Sequence, residues 1–155
     1  MPDMKFDPSR STPAGYWRFA AEYFLAGKAV HSAHPKLMVP SLQLYGQSLE
    51  LALKAFLLKR GVALAQVEAL RHSLAEILSM CRRHKLGTEV KLSAHDIALV
   101  NLLSTSYASH RLRYIVTGFT TLPEPKFMAQ VCERVVAGLE RYCTGSSWGI
   151  GRRGA

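Results

Sequence analysis

Cysteine is sparse in this sequence, and its placement leaves it little chemistry. Cys81, Cys132 and Cys143 are the three present, and no two have the close pairing of a zinc site or a redox motif. Unpaired thiols of this kind suit a reducing compartment, so a cytoplasmic location is expected. No apolar run reaches membrane-spanning length, which argues against a bilayer. The opening MPDMKFDPSRSTPAG lacks the basic region and apolar run of a secretory signal, so export is not expected. Catalytic machinery is equally thin. No glutamate is followed by histidine at the Glu-x-x-His spacing of di-iron bundles. There is no Gly-rich phosphate loop, no G-x-S-x-G elbow and no H-E-x-x-H. His31 and His34 flank a helix end just before Pro35 and read as a surface pair, so no metal and no cofactor are expected. Repeats and low-complexity tracts are absent on inspection.

Acidic residues are in short supply too. Asp and Glu number 11 against 20 Lys and Arg, a formal charge of +9 with a pI near 9.8. Such a balance favours anionic partners, nucleic acid or acidic proteins, although Arg152 and Arg153 place part of the excess in the terminal segment. At 155 residues, 48% hydrophobic and 20% charged, the chain is long and apolar enough for one self-sufficient domain. Residues 1–14, with Pro2, Pro8 and Pro13, read as an irregular arm; 15–144 as a single helical domain; and 145–155, rich in Gly and Ser, as a flexible tail unless Trp148 docks.

The stretch Ser41 to Gly61 organises the rest. Pro40 and Ser41 mark its start, Gly61 its stop, and Lys59 and Arg60 suit the negative end of the helix dipole. Leu42, Tyr45, Leu49, Leu53 and Phe56 form one stripe on a helical wheel, and Leu44, Leu51, Ala55 and Leu58 a second. Gln43, Gln47, Glu50 and Lys54 are left as a narrow polar ribbon. A helix this apolar must be packed on two flanks.

Around it, helical spacing predicts a first helix from Tyr16 to about Ala33, with Tyr16, Phe19, Ala20, Tyr23, Gly27 and Val30 on one face and Trp17, Ala21 and Phe24 extending the apolar surface beside it. Gly27 is either a close-approach point between helices or a tolerated glycine. VALAQVEALR is ambiguous between a short helix and a loop. Ser73 and Glu76 form a capping box ahead of a helix from Leu74 to about Lys85, ended by Gly87. Arg82, Arg83, His84 and Lys85 at its end admit two readings, a phosphate-binding patch or the cations that any last turn prefers, and the second is favoured. Ser93 and Asp96 cap a further helix with Leu99, Leu102, Leu103, Ser106, Tyr107 and His110 on one face. The last runs from Pro125 to Gly145. Five helical segments without a convincing strand predict an all-α, up-and-down four- or five-helix bundle.

SLELALKAFLLKRG (48–61), RHSLAEIL (71–78) and a helix ending in SYASHRLRY (106–114) resemble the HEPN domain superfamily. There an E-L-x-L-K-A-type helix is followed by a G-H-x-L-x-x-L-type helix and an Arg-Tyr element. The resemblance covers about half the chain. It implies a HEPN-like bundle, a homodimer, association with RNA or a nucleotide, and a place in toxin-antitoxin systems, where a nucleotidyltransferase-like protein is a partner. It points to Glu50, Lys54, His72, Arg113 and Tyr114 as binding candidates. The structural alternative makes Glu50, Lys54 and Arg113 a buried polar tie and Tyr114 a core aromatic. Ribonuclease members carry arginine followed by histidine with four to six residues between, and no arginine here has that partner. The comparable region has His110 before Arg111 and Arg113. A binding protein without the usual ribonuclease site is therefore expected, with two alternatives. One is a divergent metal-independent ribonuclease using His110 with Arg111 or Arg113, and the other is a pure interaction subunit. Whether the Glu50–Lys54 ribbon is buried or lines a groove is the sharpest question the sequence poses.

Overall fold

The structure is a computed structural model, and it describes residues 8–109, 112, 121–147 and 149. These form six α-helices and two short 3-10 turns, with no strand among the described residues. The helices are α1 (Pro13–Ala33), α2 (Met38–Lys59), α3 (Leu64–Ala69), α4 (Leu74–Arg83), α5 (Ala94–Ala108) and α6 (Pro125–Thr144). The architecture is an all-α bundle, and α2 touches each of the other five helices. α1 and α6 pack on one flank of α2, and α4 and α5 on the other. Leu42, Tyr45, Leu49, Leu53 and Phe56 are all fully buried, as two-flank packing requires. The second stripe is covered less completely: Ala55 is buried, while Leu51 and Leu58 pack partly exposed against the core.

Helix ends follow local chemistry, with some shifts from the sequence reading. α1 begins at Pro13, inside the segment read as an irregular arm, because Thr12 caps it by accepting from Gly15 N at 3.0 Å. Proline at the first position loses no intrahelical bond. α2 starts at Met38, one turn before Ser41, whose hydroxyl instead donates to Leu37 O at 2.9 Å. Pro40 sits in that first turn, where its missing N–H is harmless. Gly61, at φ +89, follows the C-cap as expected. The ambiguous VALAQVEALR segment contains the six-residue α3. α4 ends at Arg83 rather than at Gly87, with Lys85 taking the left-handed conformation at φ 64. Ser73 Oγ accepts from Glu76 N at 3.3 Å, and Ser93 with Asp96 forms a complete capping box.

Faces were harder to assign. The inner face of α1 is Trp17, Ala20, Ala21, Phe24 and Gly27, whereas Phe19 is 60% exposed and Tyr23 also faces out. α1 is apolar around most of its circumference, so the periodicity fits two rotations equally well. In α5 the fully buried apolar residues are Val100, Leu103 and Tyr107, while Leu99 and Leu102 are half-buried.

Directional contacts fix the packing. Trp17 Nε1 donates to Val136 O at 2.8 Å, tying α1 to α6, and Ser48 Oγ donates to Ala20 O at 2.7 Å, tying α2 to α1. Gly27 is a close-approach point: a Cβ there would lie 2.7 Å from the Tyr45 ring. All three cysteines are free and buried. Burial pushes the Cys143 thiol up to about 12 and raises Cys81 and Cys132 as well, so none acts as a thiolate near neutral pH.

Tyr45 is fully buried, and its hydroxyl has no partner among the described residues. Tyr45→Phe is accordingly expected to leave stability unchanged or raise it by up to about 1 kcal/mol. Gly27→Ala drives a methyl into the same ring and is expected to cost about 1–3 kcal/mol. Chemical denaturation of both variants checks the pair of signs.

Candidate functional site

Glu50 lies on the face of α2 that meets α5 and the α3–α4 connection, and it is 3% exposed. A carboxylate at that depth is stable only if its oxygens are hydrogen-bonded. Three donors reach it from three parts of the fold. Lys54, one turn further along α2, places Nζ 2.7 Å from Oε1. His72, in the α3–α4 connection, places Nδ1 3.0 Å from Oε1 and 3.2 Å from Oε2. Tyr107, on α5, donates its phenolic hydrogen to Oε2. Because an ionised carboxylate only accepts, the imidazole carries a proton on Nδ1. The His72 and Tyr107 rings meet edge to face at 6.3 Å, which fixes the imidazole plane.

Gln47 completes the cluster, its side-chain Oε1 lying 2.7 Å from the Tyr107 hydroxyl. A phenol has one hydrogen, and the carboxylate is the stronger acceptor. The Gln47 amide is then satisfied with its two ends exchanged, its NH2 group toward the phenol oxygen.

Lys54 is also largely buried, at 8%. Its second bond goes to Arg71 O at 2.6 Å. Arg71 has φ +50, a conformation that costs a non-glycine residue about 1 kcal/mol or more. That geometry turns its carbonyl inward to the ammonium, and the charge-assisted bond offsets the strain. The Arg71 residue itself stays exposed.

The cluster ends at a cleft of about 610 Å³ whose walls include Lys54, Arg71, His72, Ser73, Glu68 and Glu76. The His72 side chain is 41% exposed there. The ribbon is thus both a tie and a wall: Glu50 is sealed inside the bundle with Tyr107, while Lys54 and His72, also bonded to it, reach the cleft. The field of the acids extends to α1, where burial first, then the charges of Glu68 and Glu50, raise the Tyr16 phenol.

Of the residues singled out from sequence, the structure brings together Glu50, Lys54 and His72. Arg113 and Tyr114, and the alternative catalytic set His110, Arg111 and Arg113, lie outside the described residues. Sequence reasoning missed Tyr107, read as one member of a helix face, and the Arg71 carbonyl, while Gln47 was placed on the polar ribbon without a role of its own. One signal for Tyr107 was present. Gly46 is a mid-helix glycine one turn before Glu50, and a Cβ there would lie 2.6 Å from the Tyr107 ring. The glycine lets the ring cross α2 and place its hydroxyl on the carboxylate. No group of His, Cys, Asp and Glu suited to a metal occurs among the described residues. No helix among them is long and apolar enough to cross a membrane. Comparison of the chain with protein families, with curated proteins and with solved structures finds no match.

The bonds to Glu50 should differ sharply in worth. Glu50→Ala strands a buried ammonium and two donors, and a loss of about 3–5 kcal/mol is expected. His72→Ala removes a half-exposed partner screened by water and should cost under about 1 kcal/mol. Urea unfolding of the two variants measures the difference.

Proposed function

We propose that this chain is a HEPN-like binding module that takes RNA or a nucleotide in the cleft beside His72, without cutting it. The observation that carries the reading is that Lys54 and His72, fixed by the buried Glu50, form a wall of a cleft whose rim holds the exposed Arg71. The lining is mixed: Arg71 and His72 suit phosphate oxygens, while Glu68, Glu76 and Ser73 can accept from the amino and imino groups of a base. A ligand with an anionic part and a neutral hydrogen-bonding part fits that wall better than a bare anion. The net charge of +9 favours the same class of partner. A homodimer belongs to this reading. The outer face of α1 exposes Phe19 and Tyr23, the apolar pair that a second copy would cover in this reading.

A second reading is favoured by the Glu50–His72 pair itself. A carboxylate that fixes an imidazole's tautomer and plane is the arrangement of a general base, and His72, rather than His110, would then be the catalytic residue. Incubation of RNA with the protein separates the two. Intact RNA supports the binding module, whereas cleavage lost in His72→Ala supports the enzyme.

Arg71→Gly tests the binding reading cleanly, because glycine accepts φ +50 without strain. Titration with uridine monophosphate and with a mixed RNA is expected to show roughly five- to tenfold weaker binding in this variant, with the parent's affinity for RNA falling as salt is raised. Equal affinity in parent and variant would contradict the proposal.

A further inference from the structure

The turn between α1 and α2 departs from what a solvent-facing connection ordinarily carries. Ser48 meets Ala20 and Tyr45 meets Gly27, so the two helices run antiparallel and the turn projects from one end of the bundle. Every residue from Ser32 to Pro40 is exposed, and Ala33, Pro35, Leu37, Met38, Val39 and Pro40 among them are apolar. Turns usually draw Gly, Asn, Asp and Ser instead. Leu37, Met38 and Val39 are 46%, 40% and 42% exposed. Isolated exposed apolar side chains are ordinary, whereas three large ones side by side on a projecting turn form a patch that water disfavours.

Backbone bonds hold the turn in shape. His34 N donates to Val30 O at 2.8 Å, Leu37 N to His34 O at 2.9 Å and Met38 N to Lys36 O at 3.0 Å. Ser41 Oγ donates to Leu37 O, and Pro35 and Pro40 carry no amide hydrogen. Groups already satisfied within the turn lower the cost of withdrawing it from water. The sequence on either side carries charge of one sign. Between Glu22 and Glu50 there is no acid, while Lys28 and Lys36 lie in that interval. α6 runs parallel to α2, with Cys132 beside Tyr45 and Tyr142 beside Phe56, so its first turn reaches the same end. There the charges of Glu124 and Lys126 cancel.

We propose that the α1–α2 turn is a membrane-contact tip: Leu37, Met38 and Val39 enter the headgroup region of an anionic bilayer while Lys28 and Lys36 stay at its surface among the lipid phosphates. No helix among the described residues is long and apolar enough to cross a bilayer, and a peripheral contact needs none. Shape and chemistry favour a lipid surface over a protein groove. The turn is a projection, and residues 32–40 include no aromatic side chain and no arginine, the groups that anchor most protein interfaces. Aliphatic side chains with a lysine among them ask for no directional partner. A fluid layer that is apolar below and negative above meets both needs. Apolar insertion and nearby cations are the two signals that together hold a protein at such a surface. Neither involves the cleft beside His72, so the tip is independent of the ligand read there.

The test is co-sedimentation of the intact chain with vesicles of phosphatidylcholine alone and of phosphatidylcholine with about a third phosphatidylglycerol. In low salt the parent is expected to bind the anionic vesicles, and the neutral ones at least about tenfold more weakly. Lys36→Ala should weaken the anionic contact roughly fivefold. Leu37→Ser combined with Met38→Ser should weaken it at least about tenfold, with helicity by circular dichroism unchanged. A second readout keeps the test decisive if that pair unfolds. The native cysteines are buried, so an environment-sensitive dye can be placed on Met38→Cys. Its emission should shift to the blue with anionic vesicles, while the same dye on Ser79→Cys, exposed on α4, should not move. A parent that stays in the supernatant with anionic vesicles overturns the proposal, as does a folded double variant that binds like the parent or an equal shift at both dye positions. A blue shift at Met38→Cys that grows with protein concentration in the absence of vesicles assigns the turn to a second copy and likewise overturns it.

Discussion

A carboxylate sealed inside a helical bundle is the constraint on which much of this structure depends. Glu50 is tolerable at its depth because Lys54, His72 and Tyr107 each bring it a donor. Satisfying it fixes more than one side chain. The Lys54 ammonium draws in the Arg71 carbonyl and holds that residue at positive φ, which sets the turn between α3 and α4. Tyr107 must lie across Gly46, which sets the approach of α5 to α2. One buried charge thereby ties together three segments that are distant in sequence.

The same network shapes the cleft. A purely apolar contact at this place would hold the helices together equally well, and buried ion pairs seldom add net stability over such packing. What the polar arrangement supplies is a fixed imidazole and ammonium at the wall of a cleft. The cleft in turn shares Leu70 and Glu76 with a shallow groove along α4 that reaches Arg83. Lys54 is held on a helix, and His72, though in the α3–α4 connection, is fixed by its bonds to the buried Glu50.

Much of this was legible in the sequence where one residue carries an unambiguous local signal. The two-flank burial of α2 followed from its double stripe, and Gly61, Ser93 with Asp96, Pro125 and Gly145 marked helix ends correctly. The motif residues Glu50, Lys54 and His72 did come together. Failures occurred where the signal is degenerate or non-local. α1 is apolar on so much of its surface that Phe19 and Tyr23 could be placed inside as readily as outside. Lys85 takes the left-handed position where its own carbonyl and that of His84 meet an external donor in Arg60, which no local pattern announces. Tyr107 looked like core because a buried tyrosine and a buried phenylalanine share a periodicity, and only the hydroxyl's destination separates them. The Arg71 carbonyl could not be found at all, since backbone groups carry no sequence signature.

The central claim is that Glu50 exists to hold a buried positive charge as well as to receive His72 and Tyr107. A double-mutant cycle on Glu50→Ala and Lys54→Met, followed by urea unfolding, tests it most directly. The account predicts that the double variant is more stable than Glu50→Ala alone by at least about 1 kcal/mol, because the ammonium stranded by the first change is removed by the second. Strictly additive losses, with the double variant the least stable of the set, would contradict it.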